Sequence, residues 1–292
     1  MNASLTDINL DDLASSFGWQ DSPFLRRILR FVFRGAAGKF AGQMLAFDGQ
    51  TAAHGLPDGA RTTLHALVKD VRLFGGEYLL TSHPVLYLSN HPGMTDTLCL
   101  FAALGRMDLR VLARQRPFLQ ALPNISKHLI FLTDDPSERM GALRKASSHL
   151  RNGGALLTFP AGAIEPDPDV YAGAREALDK WLDSAAVFLR LAPETCIVPV
   201  LVRNVLWEKA VKHPLTWLRS EREGREKLGA SLQMLLQILL NVRPVTVTIQ
   251  AGKPIQLDEI GSRETAAIHA VLMDRMRGLV EHLPLGAGLS VL

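Results

Sequence analysis

Cysteine is scarce. Cys99 and Cys196 are the only two in 292 residues. Two thiols build no disulfide framework, and no Cys-x-x-Cys spacing points to zinc. They read as reduced core thiols of a cytoplasmic protein. Aromatic residues make up only 7% of the chain, and 32 Lys plus Arg against 29 Asp plus Glu leave a net charge of +3. Neither figure gives the basic, base-stacking footprint of a nucleic-acid binder. No stretch of 18 uninterrupted apolar residues occurs, so no transmembrane helix is expected. Leu232–Leu240 comes nearest, and Gln233 and Gln237 interrupt it. The acidic start lacks the basic and apolar regions of a secretory signal. There is no Gly-x-Ser-x-Gly elbow, which argues against a serine hydrolase. With no His-Glu-x-x-His helix and no histidine cluster, no metal site is expected. Gly35-Ala36-Ala37-Gly38-Lys39 is too short for a P-loop.

What is present is an ordinary globular composition, 47% hydrophobic and 21% charged. The length suits one large domain with a small helical annex. Charge is unevenly placed. Residues 1–22 carry Asp7, Asp11, Asp12 and Asp21 and no base, whereas residues 23–47 carry Arg26, Arg27, Arg30, Arg34 and Lys39 and no acid. Phe24, Leu25, Ile28, Leu29, Phe31, Val32, Phe33 and Phe40 interleave with these bases. Ser22 is a plausible N-cap and Pro23 a first helical residue. Such a basic, greasy helix could lie in an anionic bilayer interface. The alternative is a helix packed on the core with its arginines in water. Residues 1–55 are therefore assigned to an N-terminal helical segment and 56–292 to an α/β domain.

Beyond Gly55 helical and strand patterns alternate. Helices are expected at Arg61–Val71, Thr95–Leu104, Glu138–Leu150, Ala174–Leu191, Leu215–Leu240 and Thr265–His282. Strands are expected at Glu77–Leu80, Val85–Leu88, Leu109–Leu112, Leu129–Leu132, Ala155–Phe159, Cys196–Val202 and Val245–Ile249. Strands separated by helices predict an α/β fold, a mainly parallel sheet flanked by helices. Reactive groups in such sheets sit at the carboxyl ends of the strands.

Two such ends stand out. Tyr87-Leu88-Ser89-Asn90-His91-Pro92-Gly93-Met94-Thr95-Asp96 carries a strand into a tight turn and then a helix. Four intervening residues let Asp96 fold back on His91. The carboxylate would accept one imidazole N–H, fix the tautomer and leave the other nitrogen free to take a proton. A plain reading is also available: a turn histidine and a helix cap. The second end is Phe159-Pro160-Ala161-Gly162, where proline and glycine allow a sharp turn and a close approach to a ligand. Glu165, Asp167 and Asp169 follow it and could bind a cation, but the prolines between them suggest a rigid solvated loop.

Together these segments resemble the glycerolipid and lysophospholipid acyltransferase family. His91 and Asp96 match its His-x4-Asp motif, Phe159, Pro160 and Gly162 its Phe-Pro-x-Gly motif, and Ile197-Val198-Pro199-Val200 its later strand motif. Ala113-Arg114-Gln115-Arg116-Pro117-Phe118 sits where the family has a basic acceptor-binding segment. The resemblance spans about residues 77–210. It implies His91 and Asp96 as catalytic residues, with Asn90, Gly93, Arg114, Arg116, Phe159, Pro160 and Gly162 lining the substrate site.

The departures alter the expectation. Where the family's third motif reads Phe-Pro-Glu-Gly-Thr-Arg, this chain has Ala161, Ala163 and Ile164 at the glutamate, threonine and arginine positions. Ile164 offers no donor to an acceptor phosphate. Arg114, Arg116 or Arg203 could supply the missing charge. The Phe-Pro-Ala-Gly form looks more like the hemolysin- and ornithine-lipid-type subgroup. The resemblance implies transfer of a fatty acyl group from acyl-CoA or acyl carrier protein to a lysolipid or glycerol-phosphate-type hydroxyl, with no cofactor. It implies work at a membrane surface, on the inner face. The alternatives are an acyl-thioester hydrolase using the same pair, and a non-catalytic lipid-binding protein. Trp207, His213, Trp217 and the Leu232–Leu240 run could form an acyl-chain tunnel, or simply pack the core.

Overall fold

The computed structural model describes residues 4–79 and 82–292. Two helices come first. Helix α1, Leu5–Phe17, is capped by the Ser4 hydroxyl and stopped by Gly18 at φ 74°. Helix α2 runs unbroken over Pro23–His54, with the Ser22 hydroxyl accepting the Leu25 N–H and Pro23 in the first turn. The expected cap is the observed one. Helix α3, Leu56–Leu64, follows at once. The remaining long helices are α4 (Met94–Leu104), α5 (Pro136–Arg151), α6 (Ser184–Leu191), α7 (Arg222–Leu240) and α8 (Thr265–Glu281).

Among the described residues eight strands form one sheet: β1 (Asp70–Phe74), β2 (Val85–Ser89), β3 (Arg110–Arg114), β4 (Leu129–Leu132), β5 (Ala155–Thr158), β6 (Cys196–Arg203), β7 (Thr246–Ala251) and β8 (Leu289–Ser290). Their order is β4-β3-β5-β2-β6-β7-β1-β8. All neighbouring pairs are parallel except β6–β7 and β1–β8. Every residue of β2 and β6 is buried, as strands covered on both faces require. The sheet separates two cores. Tyr87, Val198 and Val202 face one, with Phe40, Met44, Phe47 and Leu64 from α2 and α3. Leu86, Leu88, Ile197 and Leu201 face the other, with residues of α5, α6 and α8. The second half of α2 thus shares a core with the sheet, and α3 follows it after Gly55.

Four local expectations need correction. Residues Arg61–Val71 are not one helix. α3 stops at Leu64, and Val71 lies in β1, hydrogen-bonded in parallel to β7 from Asp70↔Thr246 to Phe74↔Gln250. The strand expected at Glu77–Leu80 is instead a single 3-10 turn, Gly76–Tyr78, and Leu80 lies outside the described residues. Ala174–Leu191 breaks into a short helix at Ala174–Ala177, a 3-10 turn at Leu178–Lys180 and α6. The break has a tertiary cause. The Trp181 indole turns in to bond Glu165, and the Leu182 N–H bonds the Pro160 carbonyl. Similarly, the long run from Leu215 begins as a 3-10 segment, Pro214–Leu218, and α7 starts only at Arg222.

Candidate active site

The site is built where β2 ends. Asn90 is buried, and its amide brackets Val202 of β6: Nδ2 donates to the Val202 carbonyl and Oδ1 accepts the Val202 N–H, both at 2.8 Å. The expected substrate-binding Asn90 therefore spends its amide on fastening two strand ends. His91 follows, then Pro92 and Gly93. Gly93 is fully extended at φ 172°, a conformation any residue adopts, so its backbone N–H matters more than its flexibility.

That N–H is donated to Asp96. Asp96 sits in the first turn of α4, where the helix dipole favours a negative charge. Its Oδ2 accepts the Gly93 N–H at 3.0 Å and lies 2.8 Å from His91 Nδ1, while Oδ1 accepts the Thr97 hydroxyl at 2.9 Å. The carboxylate is wholly buried. It caps the helix and orients the imidazole at once, so the plain and the chemical readings of this residue both hold geometrically. An acceptor at Nδ1 assigns the ring hydrogen to that nitrogen. Nε2 is then the basic atom. Among the described residues it has no hydrogen-bond partner, and the side chain is 27% exposed. Burial pulls the His91 pKa down, but the charge and hydrogen bond of Asp96, aided by the charge of Glu165, outweigh it and the net shift is upward.

The second turn closes on the same ring. The Phe159 ring lies 4.6 Å from the imidazole, tilted by 31°. The Phe159 carbonyl accepts the Gly162 N–H at 3.0 Å, and Gly162 takes φ +63°, a conformation that favours glycine. The Gly162 N–H is spent inside its own turn. The N–H groups of Ala163 and Ile164, on the exposed crest just beyond, form no hydrogen bond among the described residues. Pro160 is buried beneath that crest and anchors it through its carbonyl to Leu182.

The acidic run after this turn is not the solvated loop expected of it. Glu165 and Asp167 are buried. Asp167 gathers the backbone N–H groups of Asn204, Val205 and Leu206 beyond β6 and of Asp169 in its own loop. Glu165 receives the backbone N–H of His91 at 3.1 Å and the Trp181 indole N–H at 2.7 Å. Burial pushes its pKa up to about 7, against the pull of those two bonds. Sequence reasoning passed over both roles. Nothing local distinguishes a carboxylate that folds inward from one that faces water. No group of three or more potential metal ligands occurs among the described residues.

The candidate cations separate clearly. Arg203 is buried, paired with Asp169 at 3.3 Å and bonded to the Leu279 carbonyl at 2.8 Å, so it is not a replacement for the missing arginine. Arg114 is exposed and 3.4 Å from Asp134. Arg116 is exposed, and its charge acts on both His91 and Asp12 of α1. Of the three, Arg116 is the one whose field reaches the imidazole. Cys99 lies buried on α4, where burial raises its pKa well above the ordinary thiol value, so it is no nucleophile. Trp207, His213 and Trp217 do not join the 232–240 run in lining the cavity beside α7; that cavity is about 20 Å³ and is lined by Thr95, Val205, Leu206, Ala230, Met234 and the two glutamines. It accommodates a water rather than an acyl chain. Gln233 and Gln237 face inward, bonding Val205 and Leu67.

Comparison with known proteins bears on this same region. Residues 70–203 match the family model described as Acyltransferase. The matched segment opens with β1 and closes with the last residue of β6, so it contains both turns of the site. Among solved structures the chain is similar to the crystal structure of the 1-acyl-sn-glycerophosphate (LPA) acyltransferase PlsC from Thermotoga maritima. The identity is 15% and the TM-score 0.47, over 94% of this chain and 97% of that one. No curated protein matches the chain.

Proposed function

We propose that this chain is an O-acyltransferase that moves a fatty acyl group from a thioester, acyl-CoA or acyl carrier protein, to a hydroxyl of a glycerolipid or lysolipid acceptor. The observation that carries the reading is the imidazole held by a buried carboxylate at Nδ1 with Nε2 open beside the Phe159–Gly162 turn. Its setting inside a segment matched as Acyltransferase supports it. Nε2 removes the acceptor's hydroxyl proton while that oxygen attacks the thioester carbonyl. The tetrahedral oxyanion forms within reach of backbone donors on the Ala163–Ile164 crest. As the C–S bond breaks, the imidazolium returns its proton to the departing thiolate. The products are an ester and a free thiol. The chain needs no covalent acyl-enzyme, no metal and no cofactor for these steps.

The test is transfer of labelled acyl groups from acyl-CoA and from acyl carrier protein to a panel of lysolipids and glycerol phosphate. A labelled ester is the expected product. Free fatty acid at full rate without acceptor would assign a hydrolase instead, and lipid binding with neither product would assign a carrier.

We place the work at the inner face of a membrane. Among the described residues no helix is long and apolar enough to cross a bilayer. The start of α2 instead presents Phe24, Ile28, Phe31 and Val32 to solvent, with Phe31 90% exposed. Arg27 and Arg34 are exposed on the same turns. Arg26 and Arg30 are engaged with Asp11, and Arg30 also with Asp7, on α1. They hold the helix pair together and are poor probes of lipid binding. The double variant Phe31→Asp, Arg27→Glu is expected to weaken binding to anionic vesicles by about tenfold or more in a sedimentation assay. Unchanged binding would remove this face from the reading.

A further inference from the structure

Two turns have to keep one register for the site to work, and Glu165 joins them through both its backbone and its side chain. The His91 backbone N–H donates to Glu165 Oε2 at 3.1 Å, and the Glu165 backbone N–H returns a bond to the His91 carbonyl at 2.9 Å. The other oxygen, Oε1, accepts the Trp181 indole N–H at 2.7 Å. Trp181 is buried, and its neighbour Leu182 bonds the Pro160 carbonyl at 3.2 Å. The path from His91 to the Phe159–Gly162 turn therefore passes through Glu165 and the 181–182 break in the helix.

We infer that Glu165 is a positioning residue for His91, tying the histidine turn to the Phe159–Gly162 turn through its carboxylate on the His91 N–H, its backbone N–H on the His91 carbonyl, and the Trp181 indole. This rests on the reading of His91 as the base. The chemistry of the side chain suits the task. Two N–H donors meet two different oxygens, so an acceptor is needed at both. A carboxylate supplies that, whereas glutamine sets an NH2 group against one donor. A buried carboxylate is expensive to keep charged, and burial accordingly pushes the Glu165 pKa up to about 7. Here the charge lies beside the imidazole and favours its protonated form. The groups facing the imidazole are then Asp96 from α4, Glu165 from the loop after β5 and Arg116 from the loop after β3. Those acting on Glu165 are Trp181, His91 and the charge of Asp96.

The sign follows. Removing the Glu165 charge takes away one of the influences that favour imidazolium, so the imidazole should titrate at lower pH. The measurement is a histidine-selective NMR titration of the full chain, wild type against Glu165→Gln, alongside the pH profile of acyl transfer. In the variant the His91 resonance and the acid limb of kcat/KM are expected to move together to lower pH. The maximal kcat should fall about ten- to a hundredfold as the turns lose register, with KM for the donor little changed. Trp181→Phe removes one donor and keeps the carboxylate. It makes the neutral form of Glu165 easier to populate, so the His91 titration should move the same way by less. A His91 titration and kcat both unmoved in Glu165→Gln would overturn the inference. So would a drop in kcat with an unmoved titration, which would mark a packing role alone. The NMR readout needs no turnover, so it decides Glu165 even if no acyl acceptor is found.

Discussion

Replacing His91 by alanine is expected to lower acyl transfer by about 10²–10⁴ in kcat, the range for losing a positioned general base. The fold should survive. His91 holds its neighbours through backbone groups, its N–H on Glu165 and its carbonyl on the Glu165 N–H, and alanine keeps both. The imidazole itself is partly exposed and contacts Asp96 and Phe159. Thermal melting should therefore stay near wild type while the steady-state rate collapses. Transfer at the wild-type rate by a folded His91→Ala protein would end the proposed mechanism. Loss of folding would show in the melt and leave the kinetics to His91→Gln, which cannot accept a proton at the same place.

The second large effect belongs to Asp96→Asn. An asparagine amide oxygen can still receive the N–H of the N-cap residue Gly93. The loss of the negative charge at the start of α4 costs on the order of 1 kcal/mol. The melting temperature should move little. Orientation of His91 is another matter, because the neutral amide stabilises an imidazolium far less than a carboxylate does. A loss of about 10² or more in kcat is expected. The pH dependence adds a sign. His91 must be neutral to act as a base, so transfer rises with pH through its pKa. Asp96 holds that pKa up. Taking the charge away moves the acid limb to lower pH even as the plateau falls. An Asp96→Asn protein with wild-type turnover would leave Asp96 a cap and nothing more.

The two predictions share a physical premise. The carboxylate is fully buried and accepts from three groups at once: a backbone N–H, a hydroxyl and the imidazole. A capping residue alone has no need of the third. The coincidence of roles also explains why a short motif carries so much. A strand end, a proline–glycine turn and a helix start bring residues 91 and 96 together by local geometry, and Glu165 and Val202 then fasten that turn to the rest of the fold.

That locality marks what the sequence determined by itself. The alternation of helix and strand patterns was enough for an α/β fold with a mainly parallel sheet, because apolar runs such as Cys196–Val202 register burial directly. Ser22 and Pro23 announced the start of α2, and the His91–Asp96 spacing announced its own contact. The tertiary structure alone decided the rest. Val71 went into a strand because β7 offered its backbone a partner. The helix expected across residues 174–191 broke because Trp181 and Leu182 had bonds to make with Glu165 and Pro160. Arg203 was claimed by Asp169 and two carbonyls. Glu165, which looks in sequence like one more acid in a proline-rich loop, was folded beneath the histidine. Each of these outcomes depends on a partner 16 or more residues away, and hydrogen bonds between groups that far apart leave no periodicity or spacing in the chain to read.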